Sequence, residues 1–205
     1  LLHTRASTMT KTIIFDLGGV LVHLDLEGVC SSLAQLSNRG TRYIRDEIIN
    51  GPSLKLSMRG LIGPVEFHES LCGKLGIDVS YDDFADIWNG LLKTNEGIIP
   101  LVERLKPDHR LVLASNTDAI HFPYAVQRFS VLHHFDRYFL SCEMGVLKPE
   151  PAFFLQVLES LDIAPADCVF VDDTAENVES ARSVGITALR FDGVGKLQTE
   201  LAAIL

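Results

Sequence analysis

Apolar residues fall into two kinds of run along this chain. Short blocks rich in β-branched and aromatic residues, bounded by polar or glycine positions, lie at residues 12–15, 111–114, 138–140, 169–171 and 186–191. Blocks that are apolar at nearly every position are expected of strands buried on both faces, so these five predict a parallel sheet. Longer segments with apolar residues every three or four positions predict helices over residues 98–106, 119–131, 152–161, 175–184 and 196–204. This strand–helix alternation predicts the α/β class, a doubly wound parallel five-stranded sheet. Punctuation agrees: Pro151 can occupy a first helical turn, Thr174 can cap the helix that follows it, and Gly185 can end that helix.

One stretch breaks the alternation. Residues 25–95 contain no strand pattern but several amphipathic periods, at 26–36, 41–49, 65–75 and 81–92, with Gly51-Pro52 and Gly63-Pro64 as turns between them. The expected organisation is an α/β core domain made of residues 10–24 and 96–205, with an α-helical cap domain of residues 25–95 inserted after the first strand.

Composition narrows the class of partner. The 205 residues are 47% hydrophobic and hold no run of about 18 apolar residues, so no membrane association is expected. A net charge of −9 with scattered basic residues argues against nucleic acid. Cys30, Cys72, Cys142 and Cys168 form no CxxC pair, which suits a reducing cytoplasm and excludes an obvious zinc site or disulfide framework. Residues 1–10 lack an apolar run of the secretory kind, and Met9 precedes the first strand as a candidate start.

In an open parallel sheet, ligands bind beyond the carboxyl ends of the strands, and there the polar residues of this chain converge. The first run ends in IIFDLGGV, the second in LVLASNT and the fourth in VFVDDT, with KPEP between strands three and four. Asp16 would project from a strand end where the backbone amides of Leu17, Gly18 and Gly19 can turn towards an anion. Ser115 can donate to a phosphoryl oxygen, and Lys148 can neutralise charge that develops during phosphoryl transfer. Asp172 and Asp173 offer hard oxygen ligands of the kind Mg²⁺ prefers. Asn116 either reads substrate or braces its loop. One anion attacking another is electrostatically opposed, so a metal and a lysine flanking Asp16 explain each other's presence.

Aspartate, serine, lysine and paired acids, in this order and with a helical insertion after the first, resemble the haloacid dehalogenase superfamily over residues 11–190. The resemblance implies a small phosphorylated metabolite as substrate, Asp16 as the nucleophile that forms an aspartyl-phosphate, and Lys148 acting with it. It also implies that Ser115 and Lys148 bind the phosphoryl group, that Asp16, the Gly18 carbonyl, Asp172 and Asp173 hold Mg²⁺, and that the cap closes over substrate. Most phosphatases of the superfamily carry DxD, whereas this chain has Asp16-Leu17-Gly18, so the usual general acid is missing. Such help is typically worth about 10²–10⁴-fold in rate, so an easily leaving group is expected. FDLGGV, SNTDAIH, LKPEP and FVDDTAENV are similar to a DxG subgroup that includes α-D-glucose-1-phosphate phosphatases, which points to a sugar 1-phosphate and to His121 as a substitute for the acid. A monomer or homodimer is expected. A non-catalytic phosphometabolite-binding module, a dehalogenase and a phosphomutase are the competing readings.

Overall fold

The computed structural model describes residues 11–205, and Met9 lies outside them. In chain order the elements are β1 (Thr12–Phe15), β2 (Val22–Leu24), α1 (Leu26–Leu36), α2 (Thr41–Asn50), α3 (Pro52–Met58), α4 (Pro64–Leu75), α5 (Tyr81–Asn89) and β3 (Leu92–Thr94). There follow α6 (Ile99–Leu105), β4 (Arg110–Ser115), α7 (His121–Arg128), β5 (Arg137–Leu140), α8 (Ser141–Met144), α9 (Pro151–Leu161), β6 (Cys168–Asp172), α10 (Ala175–Ser183), β7 (Thr187–Arg190) and α11 (Val194–Ile204).

The five expected strands form one parallel sheet in the order β5-β4-β1-β6-β7. From β1 the chain builds outward first to one side and then to the other, which makes the sheet doubly wound and leaves a crevice at the carboxyl end of β1. Alternate residues serve opposite faces: Ile13, Phe15, Leu111 and Leu113 join one core cluster, while Ile14, Val112 and Ala114 join the other. Burial on both faces is why these strands read as continuous apolar runs.

Helices α1–α5 bury their apolar stripes against one another in a third cluster. At its centre Phe84 stacks on Trp88 with ring centroids 5.9 Å apart, and Phe67 lies 5.1 Å from the Trp88 ring. The insertion leaves and rejoins the core through an antiparallel ribbon in which Val22 pairs with Thr94 and Leu24 with Leu92. The hydrophobic pattern predicts no strand at 92–94 and extends a helix to residue 92, whereas α5 stops at Asn89. Three-residue strands with one buried position each carry too little period-2 signal to be recognised.

Two further local readings change. Gly51-Pro52 is not only a turn: Pro52 begins α3, where its missing N–H costs nothing. Thr174 stands at the start of α10 but its hydroxyl does not cap it; the hydroxyl donates to Asp173 instead, and the Thr174 N–H donates to Asp172. Pro151 does open α9, and Gly185 follows α10 with φ +90°. All four cysteines are free.

Candidate active site

Strand register brings the first group of residues together. Phe15 pairs with Val171 on one side and Leu113 on the other, so Asp16 stands level with Asp172, and Ser115 with Leu17. The Asp16 N–H donates to the Val171 carbonyl at 2.9 Å, which holds the strand end in place. Lys148 arrives from the loop before α9, is buried, and donates to three acceptors: Asp16 Oδ1 at 2.8 Å, Asp172 Oδ2 at 2.7 Å and the Ala114 carbonyl at 2.8 Å. An ammonium has three N–H donors, so Lys148 is fully committed.

Each partner in this cluster is itself fixed. Asn177, which follows at the start of α10, donates to both oxygens of Asp172 at 3.0 Å. Asn116 donates to the Lys148 carbonyl at 2.8 Å and accepts from the Lys148 N–H at 2.9 Å. That arrangement braces the lysine loop against the end of β4. Ser141 holds the next turn through the Thr117 N–H and carbonyl at 3.0 and 3.1 Å.

Electrostatics follow from burial. The Asp16 carboxyl is pushed up to about 7, chiefly by burial; Lys148 draws it back and Asp172 pushes it further up. Burial would lower the Lys148 ammonium, but Asp16 and Asp172 outweigh it and hold it raised. Asp173 is raised by burial and then by Asp172. Three carboxylates against one ammonium leave a net charge that a divalent cation would offset.

The donor set fits such a cation. Asp16, Asp172 and Asp173 each present an oxygen within 4.8 Å of the others, while octahedral Mg²⁺ with ligands at about 2.1 Å sets their separations at about 3–4 Å. Gly19 is required beside them: its φ is +78°, and a Cβ there would meet Asp173 Oδ2 at 2.1 Å. The backbone turn is thus packed onto the carboxylate it would share with a metal.

A cavity of about 250 Å³ opens beside this cluster, bordered by Leu17, Gly18, Ser115 and Asn116 at one end and by the helical insertion at the other. His121 also borders it, but both ring nitrogens are occupied: Nδ1 faces Asp118 Oδ2 at 3.1 Å and Nε2 faces the Trp88 carbonyl at 2.9 Å. Two acceptors require an imidazolium, and with neither N–H free the ring is poorly placed to protonate a leaving group. Sequence reasoning missed Asp118. Its carboxylate accepts from Trp88 Nε1 at 2.9 Å and from the Ile120 and His121 N–H groups at 2.9 and 2.8 Å. Its spacing three residues before His121 was the available signal. Trp88 is both core and cavity wall, stacked on His121 at 5.1 Å. Arg59 lies away from the cavity, donating to the Gly145 carbonyl at 3.1 Å and pairing with Glu150. His23 is exposed on the ribbon.

Comparison with known proteins agrees with this geometry. A crystal structure of a haloacid dehalogenase family enzyme from Bacteroides thetaiotaomicron, complexed with magnesium and inorganic phosphate, superposes with a TM-score of 0.81 at 29% identity, covering 88% of this chain and 93% of that one. D-ribitol-5-phosphate phosphatase of the same organism is 22% identical over 96% of this chain and 99% of its own length. A sesquiterpene phosphatase of Aspergillus oryzae is 30% identical over 90% of this chain and 91% of its own. The family model for haloacid dehalogenase-like hydrolases matches residues 10–185, and with the sheet order and strand-end cluster described above the chain belongs to that family of enzymes.

Proposed function

We propose that this enzyme is a magnesium-dependent phosphomonoester hydrolase that works through an aspartyl-phosphate on Asp16. The observation that carries this reading is the geometry of Lys148, within 2.8 Å of both Asp16 and Asp172 beside a third carboxylate. A carboxylate nucleophile, a buried cation and a hard-oxygen site are the parts that phosphoryl transfer requires.

In this reading an Asp16 oxygen attacks phosphorus, the bond from phosphorus to the ester oxygen breaks, and the alcohol leaves with a proton from water. A water molecule then displaces Asp16 and releases orthophosphate. Lys148 holds Asp16 in position and offsets charge on the phosphoryl group, while Ser115, Leu17 and Asn116 border the phosphoryl end of the cavity. Asp16, Asp172 and Asp173, with the Gly18 carbonyl, would hold Mg²⁺, which when bound supplies charge neutralisation and orientation of the phosphate. Residues 25–95 serve as a cap over the core formed by 10–24 and 96–205.

The relatives are named for an alditol phosphate and for a sesquiterpene phosphate. They share phosphate ester cleavage and differ in the leaving group, so they support a small phosphorylated metabolite without selecting a sugar 1-phosphate. The test is phosphate release from p-nitrophenyl phosphate with and without magnesium, comparing wild type with Asp16→Asn. Turnover that needs magnesium and vanishes in the variant is expected; equal rates in the two proteins would overturn the reading.

A further inference from the structure

The cavity beside Ser115 has one polar end and one hydrocarbon wall. Its polar lining residues, Ser115, Asn116, Thr117, Asp118 and His121, all come from the end of β4, the turn after it and the first residue of α7. Facing them, the insertion contributes Leu26, Ile48, Ile49, Leu54, Met58 and Trp88. The ribbon continues that wall with Leu24 and Leu92.

The polar groups that face the hydrocarbon wall are already engaged, which leaves the Ser115 and Thr117 hydroxyls to meet a ligand. Asn116 is spent on Lys148, Trp88 Nε1 on Asp118, and both His121 nitrogens on Asp118 and the Trp88 carbonyl. Among the described residues no lysine, arginine or glutamate lines the cavity. A sugar placed here would surrender water at several hydroxyls and find few replacement partners on the wall. A second phosphate or a carboxylate would find no unpaired cation.

Gly18 tells the same story from the other side. A Cβ built there would meet Leu24 Cδ1 at 3.1 Å, so hydrocarbon fills the direction in which a side chain at this position would extend. Leu24 and Ile49 are 51% and 53% exposed at the cavity's edge, so its entrance is also apolar.

We propose that the leaving group is a hydrocarbon, an alkyl, prenyl or aryl alcohol, and not a polyol. This rests on the phosphomonoesterase reading above and specifies its substrate. At about 30 Å³ per water-sized group, the 250 Å³ cavity holds roughly eight such groups, so the products are orthophosphate and an alcohol or phenol of about that size. Water supplies the oxygen gained by phosphorus and the proton gained by the alcohol.

The experiment has an activity arm and a binding arm. Phosphate release is measured with acetyl phosphate, n-alkyl phosphates from ethyl to octyl, phenyl and 4-butylphenyl phosphate, and glucose 1-phosphate, all with magnesium. Burial of each methylene should raise kcat/KM by about three- to fourfold until the cavity is full, and glucose 1-phosphate should rank below butyl phosphate. In the binding arm, n-alkylphosphonates are titrated against the fluorescence of Trp88, the single tryptophan, and Kd should fall by about the same factor per methylene. Ile49→Gln should flatten both slopes. A flat or falling dependence on chain length in both arms, with acetyl phosphate turned over, overturns the hydrocarbon assignment and leaves the phosphatase reading standing. Steep binding slopes without phosphate release from any ester overturn the phosphatase reading and uphold the cavity assignment. Tighter binding of phenylphosphonate than of hexylphosphonate would assign the class to aryl esters, and the reverse to aliphatic ones.

Discussion

Replacing Asp118 with asparagine removes one charge from a buried network that joins the insertion to the core. Asp118 is 1% exposed and faces four donors: Trp88 Nε1, the His121 ring and the N–H groups of Ile120 and His121. Burial alone would raise its carboxyl, but His121 and the hydrogen bonds outweigh it and hold it at about 2. Burial would lower His121, and Asp118 outweighs it, holding the imidazole above its usual value. Breaking a buried ion pair from one side costs about 3–5 kcal/mol. The lower end applies here, because asparagine keeps an oxygen for the two backbone donors and His121 can shed its proton. About 3 kcal/mol in a chain of this length lowers Tm by about 6–12 °C. The sign of the pH dependence follows from the two shifts. The contribution of His121 is complete below 6.5 and is lost as pH rises through its raised folded value, while that of Asp118 is complete above 3.8 and is lost as pH falls towards about 2. The gap between wild type and Asp118→Asn should therefore be largest near pH 5.5 and shrink at alkaline pH. Thermal unfolding followed by circular dichroism at pH 5.5, 7.5 and 9 measures it. A gap that stays constant across that range, together with an imidazole that NMR finds neutral at pH 5.5, would refute a charged His121 paired with Asp118.

Other perturbations address separate parts of the structure. Lys148→Met takes the shared cation from between Asp16 and Asp172; phosphate release should fall by about 10²–10³-fold, and a loss under about fivefold would remove the lysine from the reaction. Gly19→Ala drives a Cβ into Asp173, so calorimetric magnesium affinity should weaken by about 10–100-fold, whereas unchanged affinity would mean that Asp173 is not a ligand. Phe84→Ala empties the centre of the insertion's cluster and should cost about 3–5 kcal/mol in urea unfolding; a cost below about 1 kcal/mol would show that the insertion repacks freely.

Much of the core could be read from the sequence because its strands are buried on both faces and end in polar residues of unusual type. Thr12–Phe15 and Cys168–Asp172 are buried at every position, so their apolar runs stop where chemistry can begin. The register that sets Asp16 beside Asp172 then follows from adjacent parallel strands. What the runs could not reveal was how the cluster is held. The roles of Asn116 and Asn177 depend on contacts 32 and 5 residues away in the chain, and an asparagine side chain carries no mark of which of its two ends is engaged. The ribbon of β2 and β3 was lost for a different reason: its hydrogen bonds exist only because the insertion returns to its starting point.

The identity of the leaving group depends on a distinction that periodicity does not make. Ile48 and Ile49 are adjacent on α2, and a helical pattern scores both simply as apolar. In the structure both line the cavity, Ile48 buried in the insertion's cluster and Ile49 standing 53% exposed at the cavity's edge. Trp88 shows the same ambiguity more sharply, since its spacing from Phe84 identifies a core residue and its position makes it a wall of the cavity as well. A residue that packs one side of a helix and borders a ligand space on the other looks like core in one dimension. In the assignment proposed above, the strand-end motifs supply the phosphoryl chemistry, and selection among phosphate esters falls to apolar side chains that sequence patterns assign to folding. The absent acid at Gly18 and the apolar wall at Leu24 then belong together: a side chain at residue 18 would extend towards the Leu24 hydrocarbon, which offers a carboxylate no polar partner.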